Sequence, residues 1–288
     1  MEALHTLCWT LGGCCLARWF WTIGCGLWLY WGPARKLGKV YGKGSWAVVT
    51  GASSGIGEAL ACELAKQGFN LLLIARSKDK LESLSVRLQQ AWQVQAEVLS
   101  LDLSQARVWT AVEERMKGKH WSVLVNNAGA LDFRELPHLS MEEAETSIRL
   151  HIGALVALSQ GFLKDGTGKK ALINLGSLTG TVPLPSLALY SASKAFVSAF
   201  SEALTSEVSA DVICVAPVCV NSGMTWGLGL ESPESVAAAT LRCVGRTRWC
   251  AGSLRQEVLH WTAEMMPRRV VQGLFRSVAK VVQLMNRH

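Results

Sequence analysis

No two cysteines in this chain stand in a Cys-x-x-Cys arrangement, although there are nine: Cys8, Cys14, Cys15, Cys25, Cys62, Cys214, Cys219, Cys243 and Cys250. That spacing gives no sign of a zinc ribbon or a redox dithiol, and reduced thiols in a cytosol-facing protein are the expected state. No metal site is expected. Charge is sparse, at 18% of residues, and half of the chain is hydrophobic. The net charge of +7 suits nucleic acid, an anionic membrane surface or an anionic ligand. The chain lacks any Lys/Arg-rich block interleaved with aromatics, so no nucleic-acid partner is expected. It also lacks internal repeats and low-complexity linkers. Its 288 residues therefore read as one well-buried α/β domain and little more.

The first thirty residues lack charge almost entirely. Arg18 is the only formally charged residue between Leu4 and Trp31, a stretch rich in Leu, Cys, Trp, Gly and Phe. About 20 mostly apolar residues suffice to cross a bilayer, and Arg18 near the middle costs about 2.5–3.5 kcal/mol on insertion scales. The segment either spans the membrane or lies in its interface, with Trp19, Trp21, Trp28, Tyr30 and Trp31 as headgroup-level aromatics. No positive region precedes the apolar run and no small-x-small site follows it, which argues against a cleaved signal peptide. Arg35, Lys36, Lys39 and Lys43 come next, and by the positive-inside rule the rest of the chain faces the cytosol. Residues 1–44 are read as membrane anchor and basic linker, 45–252 as the catalytic domain, and 253–288 as a basic amphipathic tail.

From Ser45 onward strand and helix patterns alternate. Trp46–Thr50, Asn70–Ala75, Gln95–Leu101, Ser122–Val125, Lys170–Leu175 and Val212–Ala216 read as strands. Gly55–Gln67, Lys78–Trp92, a helix capped by Ser104 and running to Met116, a long Met141–Leu163 and Ser191–Val208 read as helices. Such alternation predicts a Rossmann-type, doubly wound parallel sheet with right-handed crossovers and ligands at the carboxyl ends of the strands. No clear seventh strand is legible after Leu241. Near the C-terminus Val270, Val271, Leu274, Phe275, Val278, Val281, Val282 and Met285 recur at helical spacing, with Arg268, Arg269, Arg276, Lys280 and Arg287 between them. That helix either packs on the domain or rests on an anionic membrane.

Thr50-Gly51-Ala52-Ser53-Ser54-Gly55-Ile56-Gly57 lies between the first strand and the first helix of the domain. Glycine turns of this kind bring backbone N–H groups and a helix N-terminus against a pyrophosphate. Downstream, Tyr190 and Lys194 stand at i and i+4 and so share a helix face, and Ser177 follows the fifth strand. Reduction of a ketone needs a proton on oxygen as hydride reaches carbon. Tyrosine, with a pKa near 10, is a weak donor; a neighbouring ammonium is expected to lower that pKa. A serine hydroxyl can hold the same carbonyl oxygen. The end of the second strand lacks the acid that would bind the ribose 2′-OH of NAD. It carries Ala75-Arg76-Ser77 instead, and the Arg76 fork suits a 2′-phosphate, which favours NADP(H).

These residues carry a resemblance. With TGASSGIG, Asn126-Asn127-Ala128-Gly129 and Tyr190-Ser191-Ala192-Ser193-Lys194, the chain resembles the short-chain dehydrogenase/reductase family over about residues 45–250. Within that family it is similar to the membrane-bound branch of 17β-hydroxysteroid dehydrogenases types 3 and 12, the latter also a very-long-chain 3-oxoacyl-CoA reductase. The resemblance implies that Tyr190 is the general acid and that Ser177 positions the substrate. Lys194 would lower the Tyr190 pKa and hold the nicotinamide ribose. Gly51, Ser53, Ser54, Gly55, Ile56 and Gly57 would form the pyrophosphate turn. Asp102 and Leu103 would contact the adenine, Asn126 and Gly129 would border the cofactor, and Pro217 and Val220 would border the nicotinamide. It also implies an endoplasmic reticulum membrane location and, through the helices Met141–Leu163 and Ser191–Val208, a homodimer.

Two departures stand out. His151 occupies the place of the family's usual Asn, whose main-chain carbonyl serves a proton relay; it is either structural, compensating or a defect. Val218 replaces the usual Gly after Pro217. Met224 and Trp226 lie in a short apolar segment, 224–231, that suits the lid of a substrate pocket. The expected activity is NADPH-dependent reduction of a ketone on a hydrophobic lipid, a steroid 17-keto or 20-keto group. The alternatives are a very-long-chain 3-oxoacyl-CoA and, in another class, a catalytically weak cofactor-binding membrane scaffold.

Overall fold

The strands of this chain are apolar on both faces because helices cover both faces. In the computed structural model, β1 (Trp46–Thr50), β2 (Asn70–Ala75), β3 (Ala96–Ser100), β4 (Trp121–Asn126), β5 (Ala171–Leu175), β6 (Asp211–Val215) and β7 (Trp249–Cys250) form one parallel sheet in the order β3-β2-β1-β4-β5-β6-β7. The structure describes residues 26–33, 35–164, 168–221 and 229–285, with isolated positions 9, 12, 13, 17, 20 and 24, and side chains as far as residue 276.

Side chains alternate across the sheet. Val49, Leu71, Leu73, Val125 and Ile213 face one way, and Val48, Leu72, Ile74, Leu124 and Leu172 the other. The first face packs on α2 (Gly55–Lys66), α3 (Lys78–Trp92) and α8 (Pro233–Cys243), through residues such as Leu60, Leu64, Leu81 and Leu241. The second packs on α4 (Val108–Met116), α6 (Ala154–Lys164) and α7 (Ala188–Glu207), through Val112, Leu158, Phe162 and Leu204. Central β1 lies between β2 and β4, with Val48 opposite Leu72 on one side and Leu124 on the other.

Three expectations need correction. A seventh strand exists: Cys214 and Val215 pair with Trp249 and Cys250. Two residues are too few to leave a periodic pattern. The helix ending at Met116 begins at Val108 after Arg107, and Ser104 does not cap it; both the Ser104 amide and its hydroxyl donate to Asp102 Oδ1, at 2.9 and 2.8 Å. The long helix is not uniformly α. It runs as α5 (Met141–Ile148), a π-helical turn at Arg149–Gly153, and α6. Its start is a full capping box in which Ser140 and Glu143 exchange bonds.

Most of Leu4–Trp31 lies outside the described residues, and among those described no helix is long and apolar enough to cross a membrane. Residues 26–31 are helical and pack on the C-terminal half. Tyr30 donates to Glu257 at 2.5 Å, Arg35 to the Gly245 carbonyl at 2.8 Å, and Arg246 to the Pro33 carbonyl at 2.6 Å. α1 (Leu37–Tyr41) follows, and its Tyr41 hydroxyl bonds Asp211 at the start of β6. After β7 come α9 (Leu254–Met265) and α10 (Arg268–Met285). Cys62, Cys214, Cys219, Cys243 and Cys250 are free thiols.

Candidate active site

The carboxyl ends of β1 to β4 open into a cleft of about 690 Å³. Its floor is the turn after β1. Gly51 and Gly55 adopt φ of +66° and +59°, where a side chain is strained. A Cβ on Gly57 would lie 2.3 Å from the Gly51 carbonyl oxygen, and one on Gly51 would lie 2.7 Å from Asn127 Nδ2. Asn127 holds the turn by donating to the carbonyls of Thr50 and Gly51 at 3.0 and 3.2 Å. Ser54 precedes α2 without a side-chain cap bond, so the amides of the first turn remain for a ligand. An anionic phosphate fits this cradle.

Gly51, Ser53, Ser54, Gly55 and Ile56 line the cleft, as do Arg76, Asp102, Leu103, Gly129 and Tyr190. Arg76 is exposed at the end of β2, and its carbonyl accepts from Ser100 Oγ at 3.0 Å. Bonds from Ser104 hold the Asp102 carboxyl below the usual carboxylate range, the backbone bond foremost. Asn126 lies deeper, donating to Ser159 Oγ and Asn174 Oδ1 at 3.0 and 2.9 Å. Pro217 accepts from the Leu178 amide at 3.1 Å, and Val220 bridges to Glu231; neither lines the cleft. Met224 and Trp226 lie outside the described residues.

Ser177, Tyr190 and Lys194 converge at the inner end. Ser177 follows β5 in an extended conformation, and its Oγ accepts from the Thr179 amide and hydroxyl at 3.2 and 3.1 Å. Both lone pairs are thereby engaged, which leaves the Ser177 hydrogen to donate. Desolvation, the largest influence, pushes the Tyr190 pKa up to about 12, against a lowering from the neighbouring Ser177 hydroxyl. Lys194 Nζ is buried, donates to the Leu175 carbonyl at 2.7 Å and stands 5.5 Å from the centre of the Tyr190 ring. Burial brings its pKa down to about 8. Tyr190 therefore stands above its ordinary value, because burial disfavours the phenolate.

His151 sits in the π turn with its ring edge-on to Tyr190, centroids 5.5 Å apart. Its Nε2 is 3.0 Å from the Ala130 carbonyl oxygen and 3.3 Å from the Ala130 amide nitrogen. Gly129 is glycine for a reason: a Cβ there would lie 2.9 Å from His151 Cε1. Burial foremost, then the Lys194 charge, holds the His151 imidazole neutral down to about 3. Its Nδ1 is buried without a partner. The clasp of His151 on the loop after β4 left no mark in the sequence. The turn at Ser177 did: a serine after a strand whose hydroxyl accepts from the amide two residues on is an ST turn.

Residues 45–232 match the short chain dehydrogenase family. The chain belongs to that family. As a short-chain dehydrogenase it is an oxidoreductase using a nicotinamide dinucleotide. It is 33% identical to very-long-chain 3-oxoacyl-CoA reductase-A of Danio rerio over 245 residues, 80% of this chain and 75% of that protein. It is also 33% identical to 17-beta-hydroxysteroid dehydrogenase type 3 of Homo sapiens over 266 residues, 88% of this chain and 85% of that one. Among solved structures it is similar to the short-chain dehydrogenase of Sphingobium yanoikuyae in complex with NADPH, at 26% identity. That match has a TM-score of 0.60 and covers 83% of this chain and 95% of the other.

Proposed function

We propose that this short-chain dehydrogenase reduces a ketone on a hydrophobic lipid with NADPH, a steroid 17-keto or 20-keto group first among substrates. The observation that carries the reading is the Ser177 hydroxyl near Tyr190, its lone pairs taken by Thr179 and its hydrogen left to donate. A carbonyl oxygen seated there accepts from both hydroxyls. With its pyrophosphate held by the glycine turn, a reduced nicotinamide dinucleotide would supply the hydride for the carbonyl carbon. Tyr190 gives its proton to the oxygen as that oxygen becomes an alkoxide, whose basicity exceeds that of a phenolate. Lys194 spends one N–H on Leu175 and keeps two for the cofactor ribose and for stabilising the phenolate. Arg76, exposed on the cleft wall where Ala75 and Ser77 rather than an acid end the second strand, supports NADPH over NADH. The NADPH held by the Sphingobium enzyme supports the same choice.

A 3-oxoacyl-CoA is the second reading, supported by the Danio rerio relative at equal identity. We place the catalytic unit at 45–252 and an endoplasmic reticulum anchor within 1–44, with the domain in the cytosol. Phe196 and Phe200, half-buried and stacked on α7 at 5.6 Å, suit a homodimer face. The test is NADPH oxidation by detergent-solubilised protein with androstenedione or a long-chain 3-oxoacyl-CoA, and Tyr190→Phe as control. Turnover of the steroid alone, lost in the mutant, upholds the first reading, and turnover of the thioester alone selects the second. NADPH binding without turnover of either leaves a different lipid ketone or a scaffold.

A further inference from the structure

The last helix reaches two loops beside the cleft. Gln272 Nε2 donates to the Pro183 carbonyl at 3.2 Å, and Phe275 stacks on Phe133 with ring centroids 6.3 Å apart. Pro183 belongs to the loop between Ser177 and Tyr190. Phe133 sits between Asp132 and Arg134, which line the cleft. One face of α10 therefore touches the two loops that frame the site.

An adjacent face is uncovered. Val270 is 45% exposed and Leu274, one turn on, is 59% exposed; Met265, at the end of α9, is 66% exposed. In sequence, Val278, Val281 and Met285 continue the same spacing. Residues 268–288 carry Arg268, Arg269, Arg276, Lys280 and Arg287 and no Asp or Glu. A helix with an apolar stripe and only cationic charge needs a partner that is greasy and negative at once. A second copy of a chain at +7 brings the wrong sign. A bilayer with anionic headgroups offers both properties along the whole length of the helix.

We propose that α10 lies in the interface of an anionic bilayer and holds the mouth of the cleft at lipid depth. Val270 and Leu274 enter the acyl boundary, and the helix cations meet the headgroups. Gln272 and Phe275 stay on the domain, so the docked helix keeps its grip on both loops. A lipid-soluble ligand then passes from bilayer to cleft without crossing water. This inference rests on the chemistry of the helix and is independent of which ketone is reduced.

The test is amide hydrogen exchange, read by mass spectrometry on the full chain reconstituted into vesicles. One preparation is phosphatidylcholine alone; the other contains about 30% phosphatidylserine, enough for a strong surface potential. Any anchoring by the N-terminal segment is common to both, so the difference isolates α10. The expected result is exchange about tenfold slower across 268–285 in the anionic vesicles, reversed by high salt. Arg269→Gln with Arg276→Gln, and separately Val270→Ser with Leu274→Ser, should each remove the difference while β1 to β6 stay protected. Equal exchange in the two lipids overturns the proposal. So does protection that survives both double variants, which would mean a helix held by the domain alone. Protection by inorganic phosphate without lipid overturns it too, in favour of a site for free anions.

Discussion

Lys194 spends an ammonium hydrogen on the Leu175 carbonyl 2.7 Å away, and Tyr190 above it keeps its proton to about pH 12. The helical spacing of Tyr190 and Lys194 made the pair legible in the sequence, but the depth of burial that sets their acidities depends on packing that no spacing encodes. His151 is the clearer case: its partners Gly129 and Ala130 lie on another element, brought near by the π turn. Its linkage has a definite sign. In the unfolded chain the imidazole takes a proton near pH 6.5, but in the folded chain it does so only near 3. Stability from this residue is therefore intact above about 6.5 and is lost as pH falls toward 3. Thermal melts between pH 7 and 4 should drop more steeply for the wild type than for His151→Asn; parallel slopes would deny the imidazole that role. At the rim, Arg76→Glu should invert the coenzyme preference, lowering kcat/KM for NADPH against NADH by at least about tenfold, the scale of one charge-assisted contact. An unchanged ratio would remove Arg76 from the 2′-phosphate.

At the scale of elements, the buried parallel strands were read within a residue or two because short apolar runs of five or six residues, each followed by a helical pattern, mark strands covered on both faces. The π turn was not legible, since it leaves the apolar pattern of a long helix almost undisturbed while adding one residue to a single turn. Ser104 looked like a cap because serine commonly is one; Asp102, two residues earlier, claims it. Glycine inside α6 is also explained only by its neighbour. A Cβ on Gly161 would lie 2.2 Å from the Trp109 ring, which stacks on Trp121 at 5.6 Å. Helix propensity alone predicts that Gly161→Ala stabilises by about 1 kcal/mol. The rigid indole pair reverses the sign, and a loss of about 1–3 kcal/mol is expected from overpacking. Urea unfolding of the variant decides between the two.

For the whole molecule, the N-terminal segment behaves as part of the body from residue 26 onward. Tyr30 reaches Glu257, and Tyr41 reaches Asp211; burial raises both phenols well above their ordinary range. Deleting residues 1–25 should leave the melting temperature of detergent-solubilised protein within a few degrees. Deleting 1–44 strips those bonds and buried Leu37 and Tyr41, and should lower it by about 10 °C or more, taking a few kcal/mol of lost burial. Equal melting points for the two truncations would mean the clasp is idle. The sheet order also sets a timetable for biosynthesis. β1 is completed by β4, whose residues 121–126 leave the ribosome some seventy residues later, about 4–15 s at ordinary elongation rates. Until then the glycine turn has no Asn127 to hold it. Residues 1–44 emerge before any of this, so whatever they meet is met while the domain behind them is still an unfolded chain.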